Sequence, residues 1–171
     1  MPVQRLKEFL DKNNIKYVII SHSRAFTAAA IGAITHIPGK EIAKTVMVKL
    51  DGKLAMVVVP GSRSIDLAAL KASVPVQTAL IVPEPEFSDA FPDCEVGAMP
   101  PFGILYGLPV YVDEMLTRDE EIAFNAGSHR ELVRMSYRDF ARLVTPRVLK
   151  IVRKTGAELM AEDRLSGAKT A

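Results

Sequence analysis

A single cysteine, Cys94, stands among the 171 residues, which excludes an internal disulfide and any cysteine-rich metal site. A structural, buried thiol is the plain reading of it. No apolar run approaches the roughly 20 residues that a bilayer-spanning helix needs. The first thirteen residues mix Arg5, Lys7, Glu8, Asp11 and Lys12 among apolar ones. The continuous segment of a secretion signal is therefore missing, and a cytoplasmic setting with no membrane partner is expected. Charge of one sign is also scarce. A net of +2 excludes a strongly basic coat, although a local patch can still meet a few phosphates.

The familiar catalytic signatures are missing too. Neither GxGxxG nor GxxxxGK[ST] occurs, which weakens any nucleotide-cofactor reading, and no cofactor is expected. His22, His36 and His129 lie far apart and none belongs to an HExxH or other paired-ligand pattern, so no metal is expected. A serine nucleophile favours a GxSxG elbow, but Gly61-Ser62 and Gly127-Ser128 lack the second glycine. Asp113 and Glu114 are neighbours whose side chains would point to opposite faces of a strand, a poor pair for acid–base work on one bond. Asp113 reads as a turn or cap residue.

The length suits one domain with a full core, and 49% hydrophobic with 25% charged residues is ordinary globular composition. Residues 3–13 place Val3, Leu6 and Leu10 at helical spacing. Residues 16–21 read as a strand, and Thr27 can cap a short helix with Phe26 and Ile31 at hydrophobic-staple positions, ended by Pro38-Gly39. The clearest signal is 44–50 and 53–59 around Asp51-Gly52, a pair that accepts the positive φ angles of a tight hairpin turn. A helix from Ser64 or Asp66 through Lys71 and a strand over 76–82 follow. Six prolines between 83 and 109 predict turns and short strands. Strands are expected at 109–113, 121–124 and 132–135, then a helix over 137–143 capped by Ser136, and a late strand at 148–152. The tail from residue 153 reads as a loosely attached helix or a frayed end. Helices and strands interleave, yet the strongest pairing is a hairpin, which favours an α+β fold with a mixed, strongly twisted sheet and helices around it.

Three segments can carry chemistry. Lys44 opens an apolar row with Val46, Val48 and Leu50, placing its ammonium at the rim of the core where it can reach into a cleft. The alternative is a snorkelling lysine whose stem covers apolar surface. Gly97-Ala98-Met99-Pro100-Pro101 joins a glycine to two rigid prolines and can hold backbone N–H groups toward a carbonyl oxygen; an ordinary proline-rich connection has the same composition. Gly127-Ser128-His129-Arg130 could contact a ribose, a phosphate or an amino group, or be a surface turn.

Together, AKTVMV around Lys44, the GxxxP loop at 97–101, YGLPVYVDE, and FNAGSHRELVRMSYRDF with His129 make the chain resemble the YbaK and prolyl-tRNA synthetase insertion-domain family of aminoacyl-tRNA deacylases. The resemblance implies a barrel-like mixed sheet surrounded by helices over residues 1–152, with 153–171 as a C-terminal tail. It implies metal-independent hydrolysis of a mischarged aminoacyl-tRNA by a free-standing, trans-editing enzyme, most often on proline tRNA. Lys44 matches the lysine that anchors the terminal adenosine or its phosphate. Gly97 and Pro101, with Pro100 adding rigidity, match the loop that orients the ester carbonyl. His129, beside Gly127 and Ser128, matches the histidine that positions or selects the aminoacyl group.

An aminoacyl ester is already activated, so placing water or the vicinal ribose hydroxyl and stabilising the oxyanion can suffice without a protein nucleophile. A small pocket, walled by the helix at Thr27 and 28–31, would admit alanine, serine, threonine or cysteine as a second sieve does. Relatives that edit alanine often carry Asn after the lysine, where this chain has Thr45, a departure that bears on alanine specificity. The competing reading is a non-catalytic module that binds a tRNA end or nucleotide and docks on an aminoacyl-tRNA synthetase.

Overall fold

In the computed structural model, which describes residues 3–169, six α-helices and eight strands are interspersed along the described chain. Helix α1, Gln4–Lys12, buries Leu6 and Leu10 completely. Strand β1, Tyr17–Ser21, precedes α2, Ala28–Thr35, whose cap Thr27 accepts a hydrogen bond from Ala30 N at 3.1 Å. That helix stops at His36, in the left-handed region at φ 58°, two residues before Pro38-Gly39, which instead lead into a 3-10 turn.

Strands β2, Ala43–Leu50, and β3, Lys53–Pro60, form the expected antiparallel hairpin with Leu50 opposite Lys53. Asp51 and Gly52 both take positive φ, 49° and 79°, as a two-residue hairpin turn demands. Asp66 caps α3, Leu67–Ser73, by accepting from Ala69 N. Strand β4 spans only Ala79–Ile81, shorter than the expected 76–82. The Asp51 carboxylate takes the N–H groups of Gln77 and Thr78, bending the chain just before it.

The proline-rich stretch contains α4, Glu84–Phe87, and 3-10 turns but no strand among the described residues. Prolines remove ladder donors, and helical turns need fewer of them. Strand β5, Val110–Asp113, then β6, Glu121–Asn125, and β7, Glu131–Ser136, follow. Helix α5, Tyr137–Val144, is capped by Ser136 through Asp139 N. Strand β8, Arg147–Leu149, ends before the predicted 152, and Val152 makes only a single bridge to Ile65. Helix α6 is Gly156–Lys169.

The expected barrel-like sheet is corrected: the strands form two open sheets. One has the order β1-β7-β6, the other β4-β2-β3-β5-β8, antiparallel around the hairpin and parallel from β3 to β8. Closure needs an unbroken ladder, but β6 meets the large sheet only at the single bridge of Ala123 to Ile42, and the large sheet's edge strands have three residues each.

Between the sheets lies the main core, which includes Met56, Val58, Phe102, Phe124, Met135 and Phe140. On the far face of the large sheet Val57 and Val59 are buried in one cluster with Leu70 of α3. Since β3 is covered on both faces, its residues Ala55 to Val59 are all at most 1% exposed. This explains why its sequence is a continuous apolar run and not an alternation. A third cluster, with Ile31, Ile42 and Leu132, fixes α2 at the junction of the sheets. No described helix is long and apolar enough to cross a membrane.

Candidate functional site

The junction of the two sheets leaves an open cleft of about 680 Å³, within the range that holds a small organic ligand. The start of α2 forms one wall and the first residues of β2 the floor. The loop at Val96–Gly97 and the turn after β6 close the far side. Among the sequence-predicted residues, Thr27, Lys44, Thr45, Gly97 and His129 line it together. Pro100, Pro101, Gly127 and Ser128 do not. The two prolines and Gly127 are buried behind the loop, and Ser128 is half-buried, its hydroxyl accepting from Arg130 N.

Lys44 shares its strand face with Val46, Val48 and Leu50, as strand geometry requires. Thr45 and Met47 belong to the opposite face, which is also covered because β2 is buried on both sides. The Lys44 Nζ donates to Arg63 O at 3.0 Å. Burial lowers its pKa below that of a free lysine, because desolvation disfavours the charged form.

Gly97 has φ +84° and is the third residue of a turn closed by Ala98 N on Glu95 O, the position where a type II turn calls for glycine. A Cβ there would meet Glu84 Oε1 at 3.2 Å. His129 buttresses the same turn. Its Nε2 lies 2.8 Å from Val96 O and its backbone N–H donates to Glu95 Oε2 at 2.9 Å. A carbonyl only accepts, so the ring hydrogen sits on Nε2, and in the neutral ring Nδ1 is left as an acceptor. Gly127 completes the fastening, donating to Ala98 O at 2.9 Å and accepting from Glu95 N at 2.8 Å. At φ +96° it lies so close to Val3 that a Cβ would come within 2.9 Å.

Three buried polar atoms of the lining have no hydrogen-bond partner among the described residues: Thr45 Oγ1, Asn125 Oδ1 and His129 Nδ1. Buried polar groups are ordinarily satisfied, and three residues of this one lining depart from that rule. At the mouth, Phe26 is 66% exposed. It does not complete a buried staple; its ring stands 4.6 Å from the His129 imidazole and 5.1 Å from the Arg24 guanidinium carbon.

Asn125, Glu84, Glu95 and Phe26 are site residues that sequence reasoning missed. Their only signal was proximity to the 97 loop, the 127 turn or the α2 cap. Cys94 lies outside the cleft lining, and burial pushes its thiol up to about 11, so it rests protonated. Among the described residues no group of three His, Cys, Asp or Glu side chains is placed to hold a metal ion.

The family model of the aminoacyl-tRNA editing domain matches residues 22–143, a span that includes every cleft residue named above. Over 155 residues the chain is 25% identical to the multifunctional Ser/Thr-tRNA deacylase ProXp-y of Escherichia coli (strain K12), covering 88% of this chain and 92% of that protein. Two solved structures share the fold. A hypothetical protein superposes with TM-score 0.79 at 18% identity, covering 88% of this chain and 100% of its own. A candidate trans-editing enzyme for prolyl tRNA synthetase gives 0.76 at 21%, covering 89% and 97%.

Proposed function

The chain belongs to the aminoacyl-tRNA editing domain family, and from that premise we propose that this deacylase removes serine or threonine from a mischarged tRNA, with proline tRNA as the carrier. The observation that supports the reading is the cleft itself: Lys44, Gly97 and His129 come from three distant segments and line one cavity with three unpartnered polar atoms. The relative named as a Ser/Thr-tRNA deacylase points the same way.

In this reading the Lys44 ammonium, held by Arg63 O, anchors a phosphate or hydroxyl of the terminal adenosine as a point charge. The exposed ring of Phe26 offers its adenine a stacking face. The ester carbonyl meets the Gly97 loop. Because C=O and N–H are antiparallel in a planar peptide, the His129 bond to Val96 O fixes the direction of the Gly97 N–H, the donor assigned to the developing oxyanion. His129 Nδ1 accepts from the α-ammonium of the amino acid. Thr45 Oγ1 and Asn125 Oδ1 receive the side-chain hydroxyl of serine or threonine.

Water, oriented by the vicinal ribose hydroxyl, then attacks the held ester, since attack by that hydroxyl itself would only shift the acyl group along the ribose. The bond from acyl carbon to ribose oxygen breaks, and the freed ribose oxygen takes up the proton released by the nucleophile. Orientation and oxyanion stabilisation supply the acceleration. Pro100, Pro101, Gly127 and Ser128 contribute by holding the two loops and not by contact.

A site built to hydrogen-bond a hydroxyl rejects the analogue lacking it strongly, whereas a missing methylene is worth only about 10–200-fold. Deacylation of proline tRNA charged with serine, threonine, alanine, cysteine or proline tests the reading. Seryl and threonyl esters should turn over fastest and prolyl ester slowest. Equal rates for alanyl and seryl esters would remove Thr45 and Asn125 from selection, and binding without turnover of any ester would leave only the docking-module reading.

A further inference from the structure

The turn from β3 to α3 separates the cleft from a second cavity of about 820 Å³, and Arg63 in that turn serves both. Its carbonyl accepts from Lys44 Nζ. Its guanidinium donates to Glu158 Oε1 at 3.1 Å and Oε2 at 2.7 Å, and to Arg153 O at 3.1 Å. The Arg63 side chain is only 12% exposed under this contact, and its Nε is buried without a partner among the described residues.

Helix α6 closes this cavity without entering the core. Among the described residues of the helix none belongs to a core cluster, and Leu159, Met160 and Leu165 are half exposed or more. What holds it is ionic: Arg63 with Glu158, and Lys154 with Glu162. The exposed Lys154–Glu162 pair contributes little and is screened by salt, which leaves the two-bonded Arg63–Glu158 contact as the main fastening.

The charge census of the cavity turns on this helix. Arg63, Arg118, Lys150, Arg153 and Lys154 line it as cations. Of the carboxylates, Asp66 and Asp113 are engaged by backbone N–H groups and Glu114 lies 3.8 Å from Arg118. The remaining two, Glu158 and Glu162, belong to α6, and each sits on a cation. Without α6 the cations of the cavity outnumber its carboxylates, and Arg63, one of these cations, holds Lys44 of the cleft through its carbonyl. The family match ends at residue 143, so the helix is outside the matched domain.

We propose that this cavity binds the phosphate backbone of the tRNA acceptor strand, and that α6 covers it with Glu158 and Glu162 standing where phosphates go, so that docking RNA displaces the helix. A guanidinium that grips a carboxylate with two bonds grips a phosphate in the same way. The inference rests on the functional reading only in placing the acylated end beside Lys44.

The test uses the full chain and uncharged tRNA as probe. The Glu158→Gln, Glu162→Gln double variant should bind about tenfold more tightly at low salt, since two competing anions are gone, and adding Arg63→Gln should erase the gain. In the unaltered protein, amides of residues 157–167 should exchange hydrogen faster once tRNA is bound. Unchanged or weaker affinity in the double variant overturns the proposal, as does unchanged or slower exchange in α6. If the unaltered protein still deacylates seryl-tRNA while either of these fails, only the covered site falls. If it deacylates nothing, the functional reading falls while a tenfold gain in tRNA affinity still supports the site.

Discussion

Lys44 carries its charge under strain of solvation. Half-buried between a strand and the Arg63 carbonyl, it is pushed below the lysine range by desolvation, so its ammonium is lost at lower pH than that of a free lysine. The charged form is the one that anchors a phosphate. Affinity for uncharged tRNA should therefore fall, as pH rises into the alkaline range, earlier than an ordinary lysine, titrating at about 10.4, would allow. Lys44→Arg, which does not deprotonate in this window, should bind with a flat profile. Identical profiles for both proteins would exclude Lys44 as the titrating anchor.

His129 is buried at 6% exposure, with Nε2 on the loop carbonyl and Nδ1 without a partner among the described residues, and the proposed reading uses both atoms. His129→Ala removes both, and kcat should drop about 100-fold, the scale of losing one oxyanion donor. In His129→Gln the amide nitrogen can reach Val96 O in place of Nε2. That variant should regain most of kcat while KM for the aminoacyl-tRNA stays raised. A glutamine variant as slow as the alanine one would show that the loop contact is irrelevant to the chemistry.

At the scale of elements, two loops far apart in sequence form one fastening. Gly127 bonds across to Ala98 and Glu95 while its own turn sits against Val3, which itself donates to Ala126 O at 2.7 Å. Gly127→Ala forces a side chain into positive φ, at about 1–3 kcal/mol, and also toward Val3. Its melting temperature should fall by several degrees, given about 2–4 °C per kcal/mol for a chain of this size. An unchanged melting temperature would mean that the turn relaxes freely.

Elements with local chemistry were legible in the sequence. The Asp51-Gly52 hairpin, the Thr27, Asp66 and Ser136 caps and the α1 periodicity each need only neighbours within four residues. Asp113, read as a turn or cap residue, does cap, taking Met115 N and, from far along the chain, Ile151 N. Strand 76–82 was overextended because the Asp51 side chain that bends it lies 26 residues away.

Taken as a whole, the molecule shows what patterning leaves out. Lys44 and Gly97 carried signals, but that they share a cleft depends on the single Ile42 to Ala123 junction between two open sheets. No periodicity reveals such a junction, and the barrel-like closure came from the family resemblance and not from the strands themselves. Asn125 and Phe26 were invisible for the same reason: an unsatisfied oxygen or an exposed ring has meaning only once its surroundings are known. The C-terminal segment, whose sequence has few large apolar residues, forms a helix held by ion pairs and not by a core.

In the proposed function one cation, Lys44, and one glycine turn, at Gly97, hold the same acyl-adenosine. Single-turnover hydrolysis of seryl-tRNA by the unaltered protein and by Lys44→Ala addresses this most directly. Hydrolysis should run well above the spontaneous rate in the first and be slowed about 100-fold or more in the second, with folding unchanged by thermal melt. Equal rates in the two proteins would contradict that role of Lys44.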